Sequence, residues 1–423
     1  MTLPKYPSLF LLISILFVCY NSQSQTISGQ VLDSVTLEPL PYVTIKIASK
    51  NKGTLTNLEG RFKIEMDSLK FKKDSIQISF LSYKQTKIPI ASLKDSIIIK
   101  LAPSAYTLGE VVVSPQPPEE YIKEAISRIP ENYASTPYNT KVYFREVIKL
   151  NGKYLNLTEA IMNVYNLPFT GNPADSTRLQ LIALRHVNEQ NEAIESIPLK
   201  RKKKKQDEID SIIIQNVESM ARQNGPYMLL DSNLIRRWHT YETSRVLGDF
   251  HFRFVSVMPY ENRKLLNISY GDKKNEKREK AHGSLYLEEN SLAIESYTYK
   301  YNTVPLAINA ALFVFGYSMN DLEFSVKSTT QPTSNGYIDD LTILRADVDM
   351  EKMKIFKSNV PIQFEIEAIM MVLDYNFPAT NPCTEGIIVK RGVALFKQAK
   401  PDPLHPIWEE YKNVILPEGT GYD

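Results

Sequence analysis

Cysteine is nearly absent from this chain of 423 residues, which contains only Cys19 and Cys383. Cys19 lies in a segment that we expect to be removed on export, so the mature protein keeps Cys383 alone and can form no intramolecular disulfide. The fold must therefore rest on buried apolar surface, and roughly 400 residues can bury a large core.

An excess of charge of one sign is also lacking. The chain has 50 basic and 48 acidic residues, a net charge of +2. A nearly neutral chain has no overall field that attracts nucleic acid or anionic lipid. We therefore expect no nucleic-acid partner.

The motifs of common catalytic sites are missing as well. The sequence contains no His-Glu-x-x-His, Gly-x-Ser-x-Gly or Gly-x-x-x-x-Gly-Lys, the patterns typical of zinc peptidases, serine hydrolases and nucleotide-binding loops. We predict that the protein is not an enzyme. No catalytic, cofactor-binding or metal-binding residue is assigned, and no cofactor is expected.

The first 24 residues are typical of a secretory signal peptide. Lys5 precedes an apolar run from Leu9 to Tyr20, and the small residues of Ser22–Ser24 favour cleavage before Gln25. The run is shorter than the roughly 20 apolar residues of a spanning helix. We expect no transmembrane helix in the mature chain, and a location in the periplasm or on the periplasmic face of the outer membrane.

Cys19 raises the alternative of a lipoprotein anchor. The residue before it is Val18, whereas lipoprotein signals have a small residue at that position. We therefore predict a mature chain without lipid.

Residues 25–114 contain short stretches in which apolar and polar residues alternate, the pattern of strands with one buried face. Gly and Asn, which accept turn conformations, separate them at Asn51–Gly53 and Asn57–Gly60. About seven strands at this spacing predict a β-sandwich. The clearest stretches are Val43–Ala48, Phe62–Glu65, Ile76–Phe80 and Ile97–Leu101.

This region resembles the carboxypeptidase regulatory-like domain, a transthyretin-type β-sandwich. The residues that carry the resemblance, in order, are Gly29, Val31, Asp33, Pro39, Leu40, Val43, Gly53, Thr54, Asn57, Gly60, Phe62, Ile78–Tyr83 and Glu110–Val113. The resemblance implies an accessory domain without active-site residues. In this family the domain precedes metallopeptidase domains and, in Bacteroidetes-type bacteria, outer-membrane receptors. About 310 residues follow it here, fewer than a plug and a 22-stranded barrel need, so we do not expect a receptor.

Residues 115–120 are rich in proline and predict a stiff linker, followed by a second domain over residues 121–423. A helix is predicted at its start, ended by Pro130, and another over Ile209–Ala221, stopped at Gly225–Pro226. The strands predicted by period two are Asn139–Lys149, Lys153–Tyr165, Arg178–Val187, Tyr241–Leu247, Phe250–Met258, Gly283–Glu288, Leu292–Tyr301, Leu341–Met350 and Ile362–Tyr375.

Such an array predicts a mainly β protein whose second domain is a large antiparallel, half-barrel-like sheet with a few helices. Gly283–Glu288 followed by Leu292–Glu295 resembles the strand–turn–strand units of lipoprotein-carrier-like half-barrels. Trp408–Asn413 resembles the end of uncharacterised Bacteroidetes proteins that carry the same first domain.

Histidine gives the only candidate metal site. His186 and Glu189 have the His-x-x-Glu spacing that supplies two zinc ligands in metallocarboxypeptidases. A third ligand is needed, and His239, His251 and His282 have no motif around them. We interpret His186 as a surface histidine.

Two other features have a structural and a functional interpretation. The basic run Lys200–Lys205 could contact phosphate or lipid head groups, but acidic residues follow it, and we interpret it as a solvated loop. Two aromatic stripes could line an apolar cavity, although such stripes are more often sheet core. They are Tyr297, Tyr299 and Tyr301, and Phe250, Phe252 and Phe254.

Three functions remain open at this point. The first is a non-enzymatic binding or assembly protein of the cell envelope, with a protein partner. The second is a periplasmic carrier that holds an apolar ligand in the half-barrel, and the third is a zinc carboxypeptidase-like enzyme. An apolar cavity inside the second sheet would favour the carrier, and a filled core would favour the first function.

Overall fold

The computed structural model describes residues 24–48, 53–57, 59–67, 73–80, 83–93, 96–103, 116–171, 177–188, 225–241, 243–260, 263–273, 281–302, 304, 306–353 and 359–411. Four predicted features lie outside these residues: the predicted signal peptide up to residue 23, the helix predicted over Ile209–Ala221, the basic run Lys200–Lys205, and Glu189. The chain divides into two compact units, Met1–Ala105 with Tyr411–Asp423, and Tyr106–Glu410.

In the first unit, seven strands of the described part form two sheets that enclose one apolar core. One sheet has the order β4-β1-β7 and the other β3-β2-β5-β6. The core includes Ile27, Ile45, Phe62 and Ile78, so both sheets contribute to it. The predicted seven-stranded β-sandwich is confirmed. The strands are β1 Ser24–Asp33, β2 Thr44–Ile47, β3 Gly53–Leu55, β4 Arg61–Asp67, β5 Ser75–Ser79, β6 Thr86–Pro89 and β7 Ser96–Leu101.

Two motif residues of this unit have a clear packing role. A Cβ on Gly29 would lie 2.5 Å from the Ile97 carbonyl oxygen and 2.6 Å from the Phe62 ring. Gly60 has a positive φ of 69°, which favours glycine. The glycines of the motif are therefore required by the sandwich itself.

Asp33 holds the turn that follows β1. Its Oδ1 accepts hydrogen bonds from the backbone N–H groups of Val35 (2.6 Å) and Thr36 (3.0 Å), and its Oδ2 accepts one from the Tyr83 hydroxyl (2.6 Å). The bond from Tyr83, followed by the two backbone bonds, lowers the pKa of Asp33. Burial and the neighbouring Asp33 raise the pKa of Tyr83 to about 12.

Asp33→Asn is expected to destabilise the first unit at pH 7, and the loss should shrink in acid. Since folding lowers the pKa of Asp33, its carboxylate contributes stability above about pH 4, and this contribution is lost as the pH falls through the folded-state pKa. Urea unfolding at pH 7 and pH 3 measures the difference.

The readout can separate the two units because both tryptophans, Trp238 and Trp408, lie in the second. Tryptophan fluorescence follows that unit, and a transition seen only by far-UV circular dichroism belongs to the first. This role of Asp33 is contradicted if the unfolding free energies of wild type and variant differ by as much at pH 3 as at pH 7.

The second unit is built on one antiparallel sheet of eleven strands that is not closed. Its strand order is β11-β12-β13-β14-β15-β16-β17-β8-β9-β10-β18. The sheet confirms the predicted large, half-barrel-like β domain. The strands are β8 Tyr138–Leu150, β9 Lys153–Asn166, β10 Arg178–Asn188, β11 Phe250–Tyr260, β12 Arg263–Asp272, β13 Ala281–Glu288, β14 Ile294–Asn302, β15 Tyr317–Thr333, β16 Gly336–Lys352, β17 Val360–Asn376 and β18 Ile387–Ile388.

Short helices accompany the sheet. They are α1 Pro118–Ser127, α2 Ile129–Asn132, α3 Gly225–Asp231, α4 Leu234–Thr240, α5 Thr243–Asp249, α6 Leu306–Val314 and α7 Ile407–Glu410. Pro118 occupies the first turn of α1 and Pro130 the first turn of α2, where the missing N–H costs nothing. Among the described residues, no helix has the length and apolarity needed to cross a membrane.

One local prediction in the second unit is wrong. The segment Tyr241–Leu247, predicted as a strand, lies mostly in the helix α5. Its Thr and Val residues favour a strand locally. In the structure only Val246 of this helix is fully buried, where it packs in the main core. Gly225–Pro226, predicted to stop the helix over Ile209–Ala221, begins α3, and that earlier helix lies outside the described residues. Proline is compatible with the first turn of a helix, so the same pair can serve either end.

The helices fill one face of the large sheet, which we call the inner face. A single apolar core joins inner-face residues from β8 to β17 with side chains of α1 to α5 and with Val389 and Leu395 near the C-terminal end. A second core at the other end of the same strands packs Leu312 of α6 against Tyr317 and Phe364. The opposite side of the sheet is the outer face.

Candidate functional site

The outer face carries a polar pocket at strands β11 to β14. Two neighbouring rows of paired residues form it, and alternation along each strand turns their side chains away from the inner face. In the first row His251 pairs with Gly271, Gly271 with His282, and His282 with Lys300. The second row consists of Arg253, Ser269, Ser284 and Thr298. We call this the outer pocket.

The volume of the outer pocket is about 360 Å³, within the usual range for small-molecule sites. It exists because the middle of both rows holds small residues. Gly271 has no side chain between the two histidines, and Ser269 and Ser284 are short. Gly283, between the two rows, is needed for packing toward the inner face: a Cβ there would lie 1.9 Å from the Thr298 carbonyl oxygen and 2.7 Å from the Tyr270 hydroxyl.

The lining of the outer pocket is basic. His251, Arg253, His282 and Lys300 all belong to it, and its described lining contains no carboxylate. Lys300 lies 3.6 Å from Glu323, but both side chains are about half exposed, so this ion pair is weak.

The hydrogen bonds within the outer pocket do not use all of its polar groups, so some can still bond to a ligand. Thr298 Oγ1 accepts a bond of 3.0 Å from the Ser284 N–H. Ser269 donates a long bond of 3.4 Å to the Arg253 carbonyl. The Nδ1 atom of His282 is buried and makes no hydrogen bond to the described residues.

A further cation lies beside the second row. Lys327 on β15 pairs with Thr298, and burial, with the nearby charge of Arg345, lowers the pKa of Lys327 to about 8. A cation therefore lies on the next strand, β15, beyond the outer pocket.

The structure separates the histidines that the sequence offered as zinc ligands. His186 lies on the inner face, where its Nδ1 is 3.1 Å from Thr158 Oγ1 and its ring stacks on Phe396 at 4.1 Å. His251 and His282 lie together in the outer pocket, away from His186. His239 is in α4, where burial lowers its pKa. Within the described ranges, no three His, Cys, Asp or Glu residues are grouped to hold a metal.

Five of the six residues of the aromatic stripes belong to the main core or pack against it, as interpreted, whereas Tyr301 is partly exposed and is not part of it. Phe252 and Tyr297 are buried in it, and Phe250, Phe254 and Tyr299 pack against it. The stripes thus mark the inner face, and the intervening His251 and Arg253 mark the outer one.

One space among the described residues of the inner face is too small for a ligand. It measures about 20 Å³ and is lined by polar and apolar residues that include Tyr138, Asn233 and Asp339. That volume accommodates about one water molecule. Asn233 donates to Asp339, and Arg236 donates to the Tyr138 hydroxyl, so these side chains form a polar cluster around Arg236.

Residues 27–113 match the CarboxypepD_reg-like domain family, so the chain carries such a domain followed by a β-rich region. No curated protein matches the chain. A DUF1329 family protein from Desulfovibrio piger is 8% identical over 64% of this chain and 98% of its own, with a TM-score of 0.24. A putative membrane-associated protein of unknown function from Bacteroides fragilis is 10% identical over 83% of this chain and 98% of its own, with a TM-score of 0.15.

A structure of lipovitellin, described for its lipid–protein interactions, is also similar. It is 7% identical over 62% of this chain and 27% of its own, with a TM-score of 0.24.

Proposed function

We propose that the protein is a non-enzymatic binding or assembly protein of the cell envelope that acts through a protein partner. The observation that carries this proposal is the filled inner face of the second unit. Side chains of α1 to α5 and of the C-terminal segment occupy the space that a carrier would give to its ligand. Close-packed side chains leave a rigid body whose binding surfaces lie outside.

The filled inner face weighs against the carrier alternative. A drug-sized ligand occupies several hundred Å³, whereas the inner-face space beside Asp339 is about 20 Å³. A ligand on this face would have to displace Trp238 and its neighbours, at the cost of the core.

The end of α6 offers a surface for a partner. Phe313, Val314 and Phe315 are three consecutive exposed apolar residues. Exposed apolar patches of this kind often mark protein contacts. We call these residues the α6 tip.

The envelope location rests on the sequence. The signal-like N-terminus, predicted to be cleaved before Gln25, would deliver the chain to the periplasm or to the periplasmic face of the outer membrane. The CarboxypepD_reg-like domain at residues 27–113 is an accessory domain in its family and fits an assembly role.

Affinity capture with the tagged mature chain from envelope fractions tests the proposal. We expect one envelope protein to be enriched, to bind again when both proteins are purified, and to be lost with the Phe313→Ser/Phe315→Ser variant. Arg237→Ser, an exposed change elsewhere in the same unit, is the control and should retain the partner. Recovery of a stoichiometric apolar lipid without any protein would instead favour the carrier.

A further inference from the structure

We propose that the outer pocket is a binding site for a phosphate group carried by a small molecule or by a lipid head group. This site is distinct from the α6 tip, so it can hold or fail independently of the protein partner proposed above. The inference rests on the arrangement of cations and hydroxyl groups in one pocket.

The charge of the outer pocket selects an anion. His251, Arg253, His282 and Lys300 come from three strands and line one space of about 360 Å³. Arg253 has no ion-pair or hydrogen-bond partner for its guanidinium among the described residues, and it is exposed. A free guanidinium is well suited to two parallel bonds with phosphate oxygens.

The hydroxyl groups of the second row select an oxyanion. Ser269, Ser284 and Thr298 lie side by side on β12, β13 and β14, and hydroxyl groups donate readily to phosphate oxygens. The unpaired Nδ1 of His282 is a polar group whose burial without a partner costs free energy. A phosphate in the pocket brings several acceptor oxygens to this set of donors.

The size of the outer pocket indicates that the phosphate is part of a larger molecule. A bare phosphate ion would fill only a small part of about 360 Å³. The sheet position explains why this space persists, since a side chain at Gly271 would enter it between the two histidines. The ligand class is therefore a phosphate ester.

Isothermal titration calorimetry on the mature chain tests the site with inorganic phosphate and glycerol 3-phosphate. Sedimentation with vesicles of phosphatidylglycerol, compared with phosphatidylcholine, tests the head-group source. Binding of glycerol 3-phosphate alone identifies a free ligand, and binding of phosphatidylglycerol vesicles alone identifies a head group. Either result supports the site, and no binding to any of these probes overturns it.

Variants tie the binding to the outer pocket. Arg253→Gln should weaken it about tenfold or more, because a charge-assisted bond is lost. Ser284→Leu should abolish it by filling the pocket without changing the charge. Lys264→Gln removes an exposed cation from β12 outside the pocket and should change the affinity by less than about twofold.

The comparison of these variants decides the proposal. Binding that survives both Arg253→Gln and Ser284→Leu overturns it. An equal loss with Lys264→Gln also overturns it, because it shows attraction to the whole basic surface. Circular dichroism confirms that each variant is folded before titration.

Discussion

The Trp238→Ala variant is expected to lose about 3–5 kcal/mol of the unfolding free energy of the second unit. Trp238 in α4 is 2% exposed. Its ring centroid lies 6.4 Å from that of Phe250, 6.2 Å from that of Phe252 and 5.7 Å from that of Tyr270. Removing the indole leaves a cavity among rigid neighbours, so both its burial and its contacts are lost.

Urea unfolding followed by the fluorescence of Trp408 measures this loss. Tyr241→Ala, which truncates an exposed aromatic residue three positions along the chain, is the matched control and should cost less than about 1 kcal/mol. Benzene should stabilise Trp238→Ala and not the wild type, because an apolar cavity of this kind binds small apolar molecules. If Trp238→Ala loses less than about 1 kcal/mol of unfolding free energy, the stability of the second unit does not depend on the packing of Trp238 on the inner face.

Strands with regular alternation could be predicted from the sequence, because their two faces differ in burial. The prediction of Leu341–Met350 found the centre of β16, and Phe250–Met258 found most of β11. In β11 the phenylalanines face the core and His251 and Arg253 face outward, as period two requires. The sandwich was predictable for the same reason, with the motif glycines as additional support.

Strands with irregular alternation were missed. In β12 Leu265 and Leu266 are both buried, on opposite faces, so the pattern loses its period. In β15 the pairing register with β16 shifts at two places. The strand also contains Pro332 near its end, and proline in a sequence normally indicates a turn. Burial on both faces and register shifts are set by neighbouring strands, which the local sequence does not reveal.

The outer pocket was missed because its residues have no common local motif. The sequence offers His251 and His282 only as possible zinc ligands. They lie near each other because Gly271, on the strand between them, has no side chain. Alternation in β11 was the available signal, since it places His251 and Arg253 on one face. The pairing of β11 to β14 adds the other lining residues, and that pairing is a tertiary feature.

The buried cluster around Arg236 gives the second large effect: Arg236→Met is expected to cost about 3–5 kcal/mol. The guanidinium donates to the carbonyl oxygens of Pro168 (2.8 Å) and Leu167 (3.1 Å) and stacks on the ring of Phe169 at 4.1 Å. Methionine preserves much of the volume but leaves these carbonyl groups without their donor.

The charge of Arg236 also acts on Asp339, which accepts a bond of 2.8 Å from Asn233 Nδ2. Burial raises the pKa of Asp339, and the charge of Arg236 opposes that rise. Without Arg236 the folded-state pKa should rise further. A carboxyl whose pKa is raised on folding contributes stability below its unfolded value, near pH 4, and loses it as the pH rises through the folded value.

The deficit of Arg236→Met should therefore be larger at pH 7 than at pH 4, as measured by urea unfolding with tryptophan fluorescence. Arg237→Met, the exposed neighbour on the same helix, is the matched control and should cost about 0.5 kcal/mol or less. Adding Asp339→Asn to Arg236→Met should recover part of the loss at pH 7, because it removes the buried charge that Arg236 had balanced. Equal deficits at both pH values, or no recovery in the double variant, would contradict the electrostatic part of this account and leave only the lost hydrogen bonds and packing.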